Sequence, residues 1–288
     1  MKKKLPVVSD FDVEGKNVLV RADLDGGTES QRFRVTEQIV EYLKRNGAKR
    51  IKVIGHKGDI SMAAKLGVDI NWDLRADGRE EADKESLAEE LALGFEVYVN
   101  EAFATSHRRH CSVDALPRLM KKQGKEVAVG LRFEKEIEML VQTMKKSGKK
   151  VLVIGGAKAG DKAKYADEFE KRGWEVLRGG LLPGASLRAD GKDISDEEIE
   201  RFKIEIEKAG VVVLAGPMGK YEEVEKGTRE VFTAVANSGA YKIAGGGDTE
   251  AALQKFGLTG KFDWISVGGG AMLEFLATGT LPGIEVLC

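Results

Sequence analysis

A chain of 288 residues exceeds one small domain and falls short of three, which at about 150 residues per domain implies two lobes. Its 46 Lys and Arg against 47 Asp and Glu leave a net charge of −1, so no basic field points to nucleic acid or to an anionic membrane. Two cysteines, Cys111 and Cys288, exclude a disulfide framework, and short apolar runs with 32% charged residues lead us to expect a cytoplasmic globular protein with no membrane partner.

Apolar runs of strand length alternate with helical patterns along nearly the whole chain. The first strand is expected at Val18–Val20. A helix follows over Thr36–Asn46, with Ile39, Val40 and Leu43 on one face and Gly47 as its stop. Strands at Ile51–Ile54 and Val97–Val99 flank a charged stretch, Asp69–Glu90, read as solvated helix faces and loops. Phe133–Lys146 places Phe133, Ile137, Leu140, Val141 and Met144 on one face, and Lys145, Lys146 and Gly148 close it as a helix end. Further strands are expected at Val151–Ile154, Val211–Leu214, Ile243–Ala244 and Trp264–Val267, with a second charged and solvated stretch at Leu187–Glu207. Strands separated by such helices build βαβ units. The expected fold class is therefore α/β, with two Rossmann-like three-layer lobes of mainly parallel sheet joined by a hinge helix. The expected boundaries are 1–131, a connecting helix at 132–148, a second lobe at 149–270, and a tail at 271–288 returning to the first lobe.

Glycine is in excess, at 35 of 288 residues, while the 5 prolines exclude a low-complexity bias. Five segments share one design, a strand running straight into glycine: 151–156, 176–180, 212–216, 243–247 and 265–270. In a parallel sheet such loops open at the carboxyl ends of the strands, where ligands bind, and a following helix offers free N–H groups to an anion. With lysines and an Asp248-Thr249 pair interleaved, the pattern points to a phosphate or nucleotide crevice. Neither G-x-x-x-x-G-K-[ST] nor a strand-following G-x-G-x-x-G occurs, which excludes a P-loop NTPase and a simple dinucleotide-binding dehydrogenase.

A second constellation occupies the first lobe: Arg21, Asp23, Asp25, Arg32, His56, His107, Arg108, Arg109 and His110, including every histidine of the chain. Cations arriving at several strand ends suit an anionic substrate, although an ordinary charged surface carries the same residue types. His107-x-x-His110 with two distant cysteines is a weak zinc pattern. Asp23-Leu-Asp25-Gly-Gly-Thr28 resembles the D-x-D-G-T opening of haloacid-dehalogenase-like phosphatases, but an extra glycine intervenes and Ala252 stands where that family's metal motif needs an acid.

A different resemblance spans nearly the whole chain. Asp10-Phe-Asp-Val-Glu-Gly-Lys-Asn-Val-Leu-Val-Arg-Ala-Asp23 resembles the opening strand of phosphoglycerate kinases, and residues 97–110 match their V-Y-V-N-D-A-F-G-T-A-H-R-A-H segment. Residues 155–162, 216–219, 245–249 and 268–271 are similar to the family's nucleotide-lobe motifs, in order, and 276–283 to its closing segment. The resemblance implies a hinge-bending kinase moving a phosphoryl group between ATP and the carboxylate of 3-phosphoglycerate, the alternative being a divergent member with an intact nucleotide site that acts on another acceptor or only binds ADP or ATP. Mg²⁺ would accompany ATP or ADP, the partners would be small molecules only, and the protein would act as a monomer. Carried over residue by residue, Arg32, Lys158 and Lys162 are the expected catalytic groups, and Arg21, Asp23, Asp25, His56 and Arg108 the substrate contacts. The nucleotide is expected at Gly156, Lys158, Lys162, Gly179, Gly180, Gly216, Pro217, Glu222, Gly246, Gly247, Asp248, Thr249, Gly269 and Gly270, with Asp248 as the metal ligand.

The departures gather on the substrate side. Asp25 stands where the family has asparagine, Asp59 where it has a phosphate-binding arginine, and Gly148 where it has another arginine, with Lys57, Arg109 and Lys149 as nearby candidates to compensate. The chain is also shorter than the family it resembles. The missing parts are expected between His56 and Leu74-Arg75 and between Leu182 and Asp193-Ile194.

Overall fold

The computed structural model describes residues 4–25, 28, 30–58, 61–71, 73–156 and 159–288. In chain order the strands and helices are β1 (Asn17–Ala22), α1 (Gln31–Arg45), β2 (Arg50–Gly55), α2 (Ser61–Leu66), β3 (Asp69–Asn71), α3 (Gly78–Glu81), α4 (Glu85–Ala92), β4 (Val97–Asn100), α5 (Ala115–Lys122), β5 (Glu126–Val129) and α6 (Leu131–Lys145). They continue with β6 (Lys150–Ile154), α7 (Ala159–Lys171), β7 (Glu175–Arg178), α8 (Asp196–Glu207), β8 (Val211–Ala215), α9 (Lys226–Asn237), β9 (Tyr241–Gly245), α10 (Gly247–Lys255), β10 (Trp264–Ser266), α11 (Gly269–Thr278) and α12 (Pro282–Glu285). No described helix is long and apolar enough to cross a membrane.

Two compact units result: residues 1–138 with 280–288, and residues 139–279. The first holds a five-stranded parallel sheet of order β3-β2-β1-β4-β5. Its central strands are apolar on both faces because helices cover both, and Val18, Val20, Val53, Val97 and Val99 are buried together with Ile39 and Leu43 of α1. Ser30 caps α1 by accepting the Phe33 amide at 3.1 Å, which fixes where the loop after β1 ends.

The second unit holds another parallel sheet, of order β10-β9-β8-β6-β7. Val151, Val153, Val212 and Leu214 pack in its core with Phe202 of α8 and Phe232 of α9. The two orders differ. The first reverses between β1 and β4 and the second between β6 and β8, and such reversal points are where open α/β sheets leave a crevice.

All seven named strand expectations are strands here, but β3 and β5 add one at each edge of the first sheet. The Asp69–Glu90 stretch is not wholly solvated, since Glu80 is fully buried. Within Leu187–Glu207, α8 buries Ile199, Phe202 and Ile206, and Asp193 is buried beside it. The tail also begins later than residue 271: α11 packs on α7 and β9 of the second unit, and the chain rejoins the first unit at Thr280. There Gly283 N donates to Ser106 O at 3.0 Å, Lys121 Nζ donates to Leu287 O at 3.0 Å, and Leu281 and Leu287 are buried.

Candidate functional site

In the first unit the functional side chains stand at the carboxyl ends of β2, β1 and β4, the three adjacent central strands. Arg21, next to last in β1, is fully buried. Its Nε donates to Ser112 Oγ at 2.8 Å, its Nη1 donates to the Ala22 carbonyl, and it lies 3.7 Å from Asp23. Asp23 accepts the Ala104 amide at 3.0 Å and the Thr105 hydroxyl at 3.1 Å, bonds that join the loops after β1 and β4 at the reversal point. Burial raises its carboxyl above the usual range, against the pull of Arg21 and Arg32. Asp25 forms an ion pair with Arg32 in the first turn of α1.

His56 follows β2 and His110 follows the β4 loop, and their rings lie 4.7 Å apart at 30°. Glu80 of α3 faces both. It accepts the Ser112 amide at 2.9 Å and the Ser112 hydroxyl at 2.6 Å, which links the histidines through Ser112 to Arg21. Burial lowers the His110 ring to about 4, with Arg21 and Arg108 among the cations acting in the same direction. Burial and then Arg21 lower His56 as well. Arg108 itself is exposed.

In the second unit all five glycine loops leave the carboxyl end of one sheet. Lys162 of α7 donates to Gly155 O at 2.6 Å and to Ala215 O at 3.1 Å, so its ammonium joins β6 to β8 at the reversal point. Thr249 performs the equivalent task between β8 and β9. Its hydroxyl accepts the Gly216 amide at 2.8 Å and donates to Gly245 O at 3.0 Å. Asp248 is exposed in the first turn of α10. Glu222 is exposed too, and after burial the two acids are the next causes that raise the Tyr221 hydroxyl.

The glycines divide into two kinds. Gly156, Gly179, Gly180 and Gly216, with Pro217 next to the last, are buried where the loops meet. Gly180 N donates to Met218 O at 2.7 Å, and a side chain on Gly180, whose φ is +62°, would meet the Gly156 backbone. Gly246, Gly247, Gly269 and Gly270 remain accessible, and a side chain on Gly247 would meet nothing within 4 Å. Close approach of loop to loop therefore explains the first set and Gly269 as well, where a side chain would meet Gly245 O at 2.8 Å, while Gly247 faces open space.

Lys158 and Asp59 lie outside the described residues. Gly148 precedes β6, at the amino end of the sheet, away from the glycine loops. Lys149 beside it is engaged by Glu205 and lies 3.8 Å from Glu175, and Arg109 is engaged by Asp114 at 2.6 Å and Glu285 at 3.0 Å, so neither is idle. Where the first missing part was expected, Arg75 N donates directly to His56 O at 2.9 Å. Where the second was expected, Leu187 and Ile194 form an antiparallel bridge. Nothing in the spacing of Glu80 and Ser112 ties them to Arg21 or His56, and only the burial of the Arg21 charge demands such partners.

The family model described as phosphoglycerate kinase matches residues 71–195 and 186–279, together more than half of the chain. Phosphoglycerate kinase of Bdellovibrio bacteriovorus is 28% identical, over 99% of this chain and 98% of its own length. Its alignment extends over 396 positions, so at least 108 of them have no counterpart in a chain of 288 residues. The Solibacter usitatus phosphoglycerate kinase is 31% identical over 74% of this chain and 69% of its own. A crystal structure of phosphoglycerate kinase from Pyrococcus horikoshii superposes with a TM-score of 0.80 at 25% identity, covering 98% of each chain.

Proposed function

The chain belongs to the phosphoglycerate kinase family, and from that membership we propose how its two units divide the phosphoryl transfer such kinases carry out. The second unit takes ATP or ADP and the first takes the phosphoglycerate. The observation that carries the nucleotide assignment is the accessible glycine wall beside the α10 N-terminus, where Gly247 faces open space and Asp248 is exposed. Free amides there meet phosphate oxygens without competition from side chains.

Phosphoryl transfer between oxygens asks a protein for alignment and for positive charge around the moving group, not for a nucleophile of its own. Lys162 supplies that charge from the sheet's reversal point, exchanging the Gly155 and Ala215 carbonyls for phosphate oxygens. Arg32 supplies it from the first unit after leaving Asp25. Lys158 is assigned beside Lys162 on the motif alone. Arg21, held by Ser112 and Asp23, presents a fixed cation behind His56, and Arg108 offers an exposed one to the acceptor's anionic groups.

Mg²⁺ fits this donor set. The ion uses one or two carboxylates together with phosphate oxygens and water. Asp248 offers one exposed carboxylate, and among the described residues it belongs to no group of three or more ligand side chains. Bound with the nucleotide, Mg²⁺ offsets phosphate charge. Asp248 then serves to hold the nucleotide's phosphates in register with Lys162.

The test is a coupled assay with ATP, Mg²⁺ and 3-phosphoglycerate beside a Lys162→Met control. Turnover is expected, falling on the order of a hundredfold or more in the variant, as when one pre-set transition-state donor is removed. Absence of turnover in the parent chain, with ADP still bound in calorimetry, would exclude 3-phosphoglycerate as the acceptor.

A further inference from the structure

Three side chains of the first unit converge without bonding to one another. His56 Nδ1 lies 3.7 Å, and His110 Nδ1 3.9 Å, from the same oxygen, Oε1 of Glu80. Both separations exceed hydrogen-bond reach. Both nitrogens are buried without a hydrogen-bond partner. One ligand atom from each residue lies within 4.8 Å of the other two. We propose that His56, Glu80 and His110 form a binding site for a divalent transition-metal ion of the Zn²⁺ type, separate from the nucleotide's Asp248 carboxylate.

The donor chemistry selects the ion. Two imidazoles and one carboxylate suit zinc and its first-row neighbours, whereas Mg²⁺ takes oxygen ligands. Ligands around tetrahedral zinc stand about 3.3 Å apart, as follows from bonds of about 2.0–2.1 Å, so an inward shift of roughly half an ångström closes the site. Three protein ligands leave a fourth position open.

The surroundings are those of a supported site. Ser112 fixes the Glu80 carboxylate with two hydrogen bonds, at 2.6 and 2.9 Å. On the other side of the His56 ring, Nε2 lies 3.7 Å from Glu81 Oε1, also beyond hydrogen-bond reach, so this exposed carboxylate orients the imidazole only if it closes in when a metal binds. Burial holds both rings neutral, with lone pairs available to a metal. Arg21 and Arg108 oppose a further cation and limit its affinity. The ligands come from α3 and from the loops after β2 and β4, so the H-x-x-H spacing that pairs His107 with His110 selects the wrong histidine.

His56 is also assigned to the acceptor in the reading above, so the test reads the metal and not turnover. Zn²⁺ titrated into the metal-free chain against a chromophoric chelator is expected to bind at one equivalent, and Co²⁺ to give the strong visible bands of a low-coordinate site. His56→Ala and His110→Ala should each weaken binding at least about tenfold, while His107→Ala should not. The parent protein needs no variant for a second readout. Its three histidines give separate imidazole nitrogen resonances, and Zn²⁺ should move two and leave His107 in place. Failure to bind one equivalent, or a response at His107 equal to that at His110, overturns the site.

Discussion

Asp25 holds Arg32 in an ion pair across the start of α1, so the arginine assigned to the transferred group is already partnered by an acid seven residues before it. The pair is partly exposed, at 52% and 25% for the two side chains, and pairs of that kind are worth about 0.2–1 kcal/mol.

Asp25→Asn is therefore expected to free Arg32 and to raise kcat for phosphoryl transfer by about 1.4- to fivefold, the range that such a pair energy allows. Steady-state kinetics with saturating nucleotide measure it. An unchanged or lower kcat would mean that Asp25 positions Arg32 and does not restrain it.

The two kinds of glycine separate in a pair of variants. Gly180→Ala forces a side chain into a φ of +62° and against the Gly156 backbone, so stability should fall by at least about 1 kcal/mol. Gly247→Ala meets nothing within 4 Å and should leave stability within about 0.5 kcal/mol of the parent while weakening ADP binding. Denaturant unfolding and calorimetry read the two effects. Equal ADP affinity in Gly247→Ala would remove the α10 terminus from the nucleotide site.

Thr249→Val deletes the hydroxyl that accepts the Gly216 amide and leaves that N–H buried without a partner. A loss of about 1–3 kcal/mol is expected, and Thr249→Ser should restore most of it. Thermal unfolding of the three proteins distinguishes this bridging role from a purely ligand-facing one, in which valine would cost affinity and not stability.

Glu101 follows β4 and accepts the Arg132 amide at 2.8 Å, at the start of α6. Burial pushes its carboxyl up to about 8 from an ordinary 4.5. Between those values the folded chain keeps a proton that the unfolded chain has released. Stability from this group is therefore fully present below the lower value, falls as pH rises through the window, and levels off above the upper one. Glu101→Gln keeps an acceptor for Arg132 without the titration, so its stability relative to the parent should rise between pH 5 and pH 8, by at most about 1.4 kcal/mol per unit of displacement. Parallel curves for the two proteins would show the carboxyl ionised throughout.

Much of this architecture was legible because the buried strands are written in β-branched runs. Val18–Val20, Val151–Ile154 and Val211–Leu214 are short, rich in β-branched residues and flanked within two positions by polar or glycine residues, which favours buried strands over helices. β3 was not legible. It is three residues, Asp69–Asn71, with no buried position, and exists because β2 offers it a ladder of backbone bonds. The site was legible where a motif marks backbone, as in the glycine loops, and illegible where it depends on partners far along the chain. Glu80 reads as one acid in a charged stretch, yet it is fully buried between two histidines and Ser112. Lys162 was found by its motif, but its partners are main-chain carbonyls of two strands, which no side-chain pattern announces.

The return of residues 280–288 to the first unit carries a consequence for the order of assembly on the ribosome. The second unit is one uninterrupted segment, 139–279, and contains every strand of its sheet as soon as that segment has emerged. The first unit emerges earlier but lacks this piece until residues 280–288 have followed the second unit, when Gly283 donates to Ser106 O and Glu285 engages Arg109. Those contacts grip the loop that carries His107 to His110. The unit begun first is thus completed after the second, and its loop at 107–110 is clamped only once residues 139–279 have been made.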